Sequence, residues 1–464
     1  MKFIKYSLFF SILFVTSCGE KFLDISPSSA ISTDNPIRTV SDMEALLVGA
    51  YNQMQANNYY GRYGILVPDV MSDDVKENAT ANRAREWAQY NGDALNFIGE
   101  GIWTDIYQFI NNLNTIINST VEFPTAATKK SGDQFKGEAL ALRGLAHFDL
   151  CRFYGQHYGF TADASHLGVP YVLKFDKNAK SSRLTVAQVY KQAIADIQAG
   201  IALMTTNRGT GYMSPMAAQA LLARIHFYMG DYKKAEEFAN TVINSNIYKL
   251  TPRDQFVAKW LDSGTPPDAI FEVIMTATDN PGNESLSRLY IAEGYGDYLP
   301  TDDLRLLIDS ADLRGSLFKL DPKLTGIYGK YRVNKHPSVT GDDRLPIIRL
   351  TEIYLIRAES RARNGNETGA IADLMTVRSR AWATAKTVTA TGNALLEEII
   401  KERRIELCYE GVRLWDLMRL KRDVVRKNCT GPVCTIKYPN PRFILPIPFR
   451  EIDANPSMIQ NPGY

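Results

Sequence analysis

Only five of the 464 residues are cysteine and five histidine, and neither type has the spacing of a metal site. His147, His157, His166, His226 and His336 form no HExxH arrangement, and no Gly-x-Ser-x-Gly elbow is present. Gly209-Thr-Gly211 lacks the rest of a phosphate loop. With these patterns missing, no cofactor, metal or catalytic centre is expected. The chain also lacks an excess of one charge: 53 Lys and Arg face 51 Asp and Glu, for a formal net charge of +2. A nucleic-acid binder would carry a dominant basic field, so no nucleic-acid partner is expected. Long apolar runs are absent too, since none beyond the N-terminus approaches the roughly 20 residues that cross a bilayer.

At the N-terminus, Met1 to Ser17 has a lysine-bearing head (Lys2, Lys5), an apolar run from Tyr6 to Val15, and then Val15-Thr16-Ser17-Cys18. Such a segment is an export signal, too short for a span. A cysteine directly after small residues resembles the lipobox of bacterial lipoproteins, in which Cys18 would become the lipid-modified first residue. That reading divides the chain into a signal peptide (1–17), a lipidated tether (18–27) and a single domain (28–464), held at a membrane by lipid. Cys151 and Cys408 lie within helical patterns and read as small buried hydrophobes. Cys429 and Cys434 bracket Thr-Gly-Pro-Val; in an exported protein they could close a disulfide, the alternative being two unpaired thiols.

With 45% hydrophobic and 22% charged residues the chain is long enough to bury a large core. Its clearest organisation is a repeated helical hairpin at 216–245 and 352–381. Ala223, Gly230 and Ala235 in the first copy keep the same offsets as Ala358, Gly365 and Ala370 in the second. Small residues let two helices approach, the glycine permits the turn, and an amphipathic helix follows, as in tetratricopeptide repeats of about 34 residues. Phe135 to Tyr154 with Val186 to Met204 reads as a divergent copy. Further helices are expected over Val40 to Met54, with Ser41 as its cap, and over Ala94 to Ile117, Ala394 to Tyr409 and Arg413 to Arg419. Prolines in Phe443 to Tyr464 predict an extended tail over the helices.

Two stretches break this order. Asn57 to Gly92 is rich in Asn, Gly, Tyr, Arg and Asp without sustained periodicity, and reads as a surface excursion. Thr251 to Leu345 is loop-rich, with a strand-like piece at Ala269 to Met275 and a helix or two between Asp302 and Lys319. Sugar recognition uses flat aromatic surfaces and planar polar side chains, and both insertions offer them. The first supplies Tyr59, Tyr60, Arg62, Asp73, Asp74, Arg83, Arg85, Trp87, Tyr90 and Asn91, and the second Trp260, Tyr295 and Tyr298. These are the candidate ligand-binding residues, although loop aromatics also pin loops down. Trp103, Tyr107 and Trp415 lie in regular helices and read as core.

In the C-terminal part, Ile399-Ile400-Lys401-Glu402-Arg403-Arg404-Ile405-Glu406-Leu407-Cys408-Tyr409-Glu410-Gly411-Val412-Arg413-Leu414-Trp415-Asp416-Leu417 resembles the signature helix of the SusD/RagB family of outer-membrane nutrient-binding lipoproteins. Arg349 to Glu359 resembles the helix preceding it. The ending, from Pro446-Ile447-Pro448 through Glu451 to Pro456 and on to Gln460-Asn461-Pro462-Gly463-Tyr464, resembles the family's terminal motif, and Phe22-Leu23-Asp24 and the Trp103, Tyr107, Asn114 helix fit as well. The resemblance implies a mostly α fold with four tetratricopeptide-like hairpins and irregular loop-rich insertions. It implies a SusC-like TonB-dependent transporter as partner, an outer-membrane location facing the exterior, and an oligosaccharide ligand, or a peptide in some members.

Glu402, Glu406 and Glu410 lie one turn apart, and paired carboxylates are the minimum for glycoside hydrolysis. Arg403, Arg404 and Arg413 are close enough in sequence to neutralise them, so a structural ion-pair network is expected and a surface glycosidase is the alternative. For the lipid, Cys18→Ala is expected to release the protein from membranes on cell fractionation; unchanged retention would refute the anchor.

Overall fold

The computed structural model describes residues 37–464 apart from Ser263. The signal segment, Cys18 and the Phe22-Leu23-Asp24 motif lie outside the described residues. The body is a set of helical hairpins: α1 (Val40–Gln53), α2 (Tyr63–Val70), α3 (Arg85–Ala88), α4 (Phe97–Ile117), α5 (Ala126–Tyr154), α6 (Val186–Leu203), α7 (Pro215–Met229) and α8 (Tyr232–Asn244). After α9 (Arg253–Leu261) and α10 (Asp302–Arg305) come α11 (Leu350–Arg363), α12 (Glu367–Ala381), α13 (Gly392–Leu407), α14 (Arg413–Arg419) and α15 (Phe449–Ala454). Four pairs pack as hairpins: α1 with α4, α5 with α6, α7 with α8, and α11 with α12.

Local sequence sets the ends. Capping boxes start α1 at Thr39 with Asp42, α5 at Thr125 with Thr128, and α6 at Thr185 with Gln188. Thr39, not Ser41, is thus the cap of α1. Gly230 and Gly365 adopt φ of +79° and +86° at the hairpin turns, the left-handed conformation that a side chain would strain. Between α5 and α6, Gly137 meets Gly200 so closely that a Cβ on Gly200 would stand 2.5 Å from the Gly137 carbonyl oxygen. The tail is less irregular than its prolines suggest, since α15 forms within it. Its backbone is pinned to the helices: Leu445 N–H donates to the Phe153 carbonyl and Phe449 N–H to that of Ala94.

Among the described residues, four antiparallel strand pairs decorate this body. The pairs are β1 (Val75–Glu77) with β3 (Tyr298–Pro300), β2 (Ala269–Val273) with β6 (Leu345–Arg349), β4 (Phe318–Leu320) with β5 (Tyr331–Val333), and β7 (Val424–Val425) with β8 (Thr435–Ile436). A disulfide joins Cys429 and Cys434 in the turn between β7 and β8. Cys151 and Cys408 are buried and free.

The charged face of α13 is buried and ionic, but the helix ends at Leu407, short of the expected Tyr409, so Glu410 stands in the turn that follows. The neutralising cations come from elsewhere than expected, because side chains on a helix meet what packs on their face and not what is near in sequence. Arg314 donates to Glu402 at 2.6 Å and Glu406 at 3.2 Å, and Arg378 to Glu402 at 2.7 Å. Arg380 joins Glu406 to Asp268, and Arg349 reaches Glu406, Glu410 and Asp268. Lys335 donates to Glu410 at 2.6 Å and to the carbonyls of Glu406 and Cys408, both at 2.9 Å. Arg403 turns to Asp416 and Glu352, whereas Arg404 and Arg413 serve another cluster.

Burial alone would raise the Glu410 carboxyl, but Arg349 and Lys335 outweigh it and hold the group at about 2, below its ordinary 4.5. A folded value below the unfolded one contributes stability above pH 4.5 that is lost as pH falls toward 2. The shift is worth about 3 kcal/mol. Urea unfolding followed from about pH 5 down to pH 2 is therefore expected to show falling stability, with part of that fall missing in Glu410→Gln. An identical pH slope in the variant would contradict the pairing.

Candidate functional site

The two insertions meet, which sequence spacing alone could not establish. β1 belongs to the first and β3 to the second, with Val75 opposite Pro300, Lys76 opposite Leu299 and Glu77 opposite Tyr298. The zipper continues past the strands. Asn78 N–H donates to the Asp297 carbonyl at 2.7 Å, the Asn78 amide to that of Gly296 at 2.9 Å, and Thr301 N–H to that of Asp74 at 3.0 Å. Arg62 pairs with Glu284, Arg83 with Asp297, and Tyr298 donates its hydroxyl to the Arg83 carbonyl.

Most of the aromatics expected to meet ligand are committed to this junction or to the core. Tyr59 and Tyr60 donate to Asp149 at 2.8 and 2.6 Å, and Tyr90 donates to the Met71 carbonyl. Trp87 is 1% exposed and lies so close to Gly92 that a Cβ there would come within 2.5 Å of its ring. Trp260 covers the α13 ionic cluster, with the Lys335 ammonium 4.5 Å and the Arg349 guanidinium 5.0 Å from its ring centroid. Tyr298 is fully enclosed. Asp73 accepts from two guanidinium nitrogens of Arg413, Nε at 2.7 Å and Nη2 at 2.9 Å, while Asp74 accepts from Arg404 at 2.7 Å. Arg62 is buried over the Tyr63 ring. These nine side chains, which composition alone could not distinguish from surface groups, present no free face to solvent here.

The reading of 57–92 as a surface excursion is corrected in the same way. Tyr63-Gly-Ile-Leu-Val-Pro-Asp-Val70 folds as the almost wholly buried α2, and its run of apolar residues was the available signal. The expected exposure at Tyr295 holds in part: the ring is half-buried, with the Arg83 guanidinium 3.2 Å from its centroid and its hydroxyl 3.4 Å from Glu284. Arg85 and Asn91 are exposed and Arg83 half-exposed. The accessible part of the junction is thus a rim of guanidinium, carboxylate and one phenol on locked backbone. The Glu284 carboxyl there is lowered: burial pulls it up, and the hydrogen bond and charge of Arg62 prevail. The α13 carboxylates are sealed elsewhere in salt bridges and offer no acid and base pair to this rim.

Such a molecule is a helical-hairpin body that carries two irregular insertions locked into one face. Residues 325–464 match the profile described as the SusD family, and residues 21–227 match one described as starch-binding associating with outer membrane. A structure from Bacteroides vulgatus, described as a candidate sugar-binding protein, superposes with a TM-score of 0.83 at 30% identity, covering 92% of this chain and 99% of its own. SusD-like protein P38 of Formosa agariphila is 25% identical over the whole of both chains. The starch-binding protein SusD of Bacteroides thetaiotaomicron is 33% identical over 130 residues, 26% of this chain and 22% of its own. The chain belongs to the SusD family.

Since Trp87 is enclosed, Trp87→Ala is expected to act as a core truncation and lower unfolding stability by about 3–5 kcal/mol in urea titration. A change below about 1 kcal/mol would return Trp87 to the list of surface groups.

Proposed function

We propose that this chain is a cell-surface lipoprotein that captures oligosaccharide and delivers it to a SusC-like TonB-dependent transporter in the outer membrane, without performing chemistry. The observation that carries the reading is the zipped face: Arg83 pairs with Asp297 and lies over the Tyr295 ring, and Arg85 pairs with Glu77 of the strand pair, while Asn91 is exposed nearby in sequence on backbone held by Arg442. Rigid planar polar groups beside a phenol suit the hydroxyls and apolar faces of sugar rings. The names of the relatives agree, one being a starch-binding protein and one family profile being described as starch-binding and outer-membrane associated. Hydrolysis is disfavoured by the burial of Glu402 and Glu406 among arginines. Lipid attachment at Cys18 would hold the body at the membrane surface, and no helix among the described residues is long and apolar enough to cross it.

Titrating the protein without residues 1–18 against an oligosaccharide panel is expected to give saturable binding that weakens about tenfold, roughly 1.4 kcal/mol, on Arg83→Ala. Silence across the panel together with peptide binding would favour the same architecture as a peptide receptor. Purification from detergent-solubilised outer membrane is expected to bring down a large β-barrel protein; its consistent absence would remove the transporter from the proposal.

A further inference from the structure

A second concave feature lies away from the zipped face. Between α4, residues 170–181 and the tail at α15 is an open groove of about 580 Å³, a volume usual for ligand sites. Trp103 and Tyr107 line it from one row of α4, and Thr104, Gln108 and Asn111 from the adjoining row. Successive residues of each row lie three or four apart on one helical face. The facing strap contributes Phe175, which is 62% exposed. Glu451 and Asn455 stand at the tail side.

We propose that this groove is a second saccharide-binding site, taking a short run of pyranose rings. The inference rests on the glycan-binding reading above and deepens it. Its first support is a contrast along α4. The amides of Asn114 and Asn118 are spent on the strap carbonyls of Val172 and Leu173, at 3.0 and 2.9 Å. Among the described residues, by contrast, no hydrogen bond engages the amides of Gln108 and Asn111 or the Thr104 hydroxyl, which line the cavity. Thus one helix uses its lower amides to build the wall and leaves its upper ones free beside the half-buried Tyr107 and the exposed Phe175, with the buried Trp103 beneath them. Free carboxamides beside exposed aromatic carbon are the combination that vicinal hydroxyls on an apolar ring require.

The second support is the rigidity of the wall. Tyr107 donates to the Pro170 carbonyl at 2.8 Å, and Val172 N–H donates to His147 at 2.9 Å. The Tyr171 ring stacks on His147 at 3.7 Å, and its hydroxyl donates to Asp196 at 2.7 Å. At the far end the Asn455 amide donates to the Ser181 carbonyl at 2.8 Å, which closes the strap against the tail. A preformed wall spares a ligand the cost of ordering it. The same bonds argue for sugar over peptide. Val172 N–H and the carbonyls of Pro170, Val172 and Leu173 are already paired, so this part of the strap offers no free edge on which a peptide backbone could add as a strand.

The test uses the detergent-solubilised full chain, with maltohexaose, cellohexaose, laminarihexaose, xylohexaose and mannohexaose as probes in calorimetric titration and hydroxyl-radical footprinting. With the hexasaccharide that binds, Phe175 is expected to gain protection. The combined variant Gln108→Ala, Asn111→Ala, Phe175→Ala is expected to bind about tenfold more weakly at one site, or to lose one bound saccharide per chain. Gln108 and Phe175 are exposed, and the amides removed hold no other group, so the variant keeps its fold; near-ultraviolet circular dichroism checks this. If the wild type binds none of the five, the glycan-binding reading itself falls, and this inference with it. If the wild type binds while the groove variant matches it and Phe175 stays unprotected, the groove alone is overturned. Protection of Phe175 by a peptide and by none of the sugars would overturn the ligand class.

Discussion

The architecture depends on the buried charges of α13. Glu402 and Glu406 lie one turn apart on its face and Glu410 in the turn after it, and the cations that meet them come from the second insertion (Arg314, Lys335), the end of β6 (Arg349) and α12 (Arg378, Arg380). Arg404, with Arg413 at the start of α14, holds Asp73 and Asp74 of the first insertion. One helix therefore anchors both irregular segments. Removing so many charges from water offsets much of their attraction, so the gain from such a cluster is largely geometric: each loop has one place where its charges are satisfied. With the insertions rooted this way, the short zipper of β1 and β3 needs only to align them.

Much of the body was legible because helices advertise themselves through periodicity and small residues. The Ala, Gly, Ala offsets at 223, 230, 235 and 358, 365, 370 fall on the helix contacts and turns of α7 with α8 and α11 with α12. The boundaries of α5 were less visible: its first nine residues extend ahead of the apolar pattern, started by the Thr125 capping box. Ion-pair partners were the least legible. Arg403 and Arg404 adjoin Glu402 in sequence yet point to Asp416 and Asp74, because successive helix residues diverge by about 100°.

The candidate site was legible only in outline. That two loop-rich segments might share a face could be suspected from composition, but which tyrosines face outward could not. Tyr60 and Tyr295 look alike in a string of letters; one finds Asp149 inside the protein and the other keeps part of its ring in water. The groove beside α4 is hidden in the sequence for the opposite reason. Trp103 is core and Tyr107 packs against it, as their helical spacing implies; both also border a cavity that exists only because residues 170–181 fold back over the helix. A wall made by a distant strap leaves no mark on the periodicity of the helix it faces.

Lys335 shows where such a protein is free to change. Its ammonium lies within the second insertion and bonds Glu410 together with two carbonyls at the end of α13. The root of the loop and the last turn of the helix thus complete each other's hydrogen bonding. Ala292 and Glu293, by contrast, are exposed between the largely buried run Leu286 to Ile291 and Tyr295, and bond nothing on that helix. These two positions can be exchanged or recoloured with charge while the foundation stays in register. A lineage facing a new nutrient could rewrite the tip and inherit the root, much as a key is recut without altering its bow.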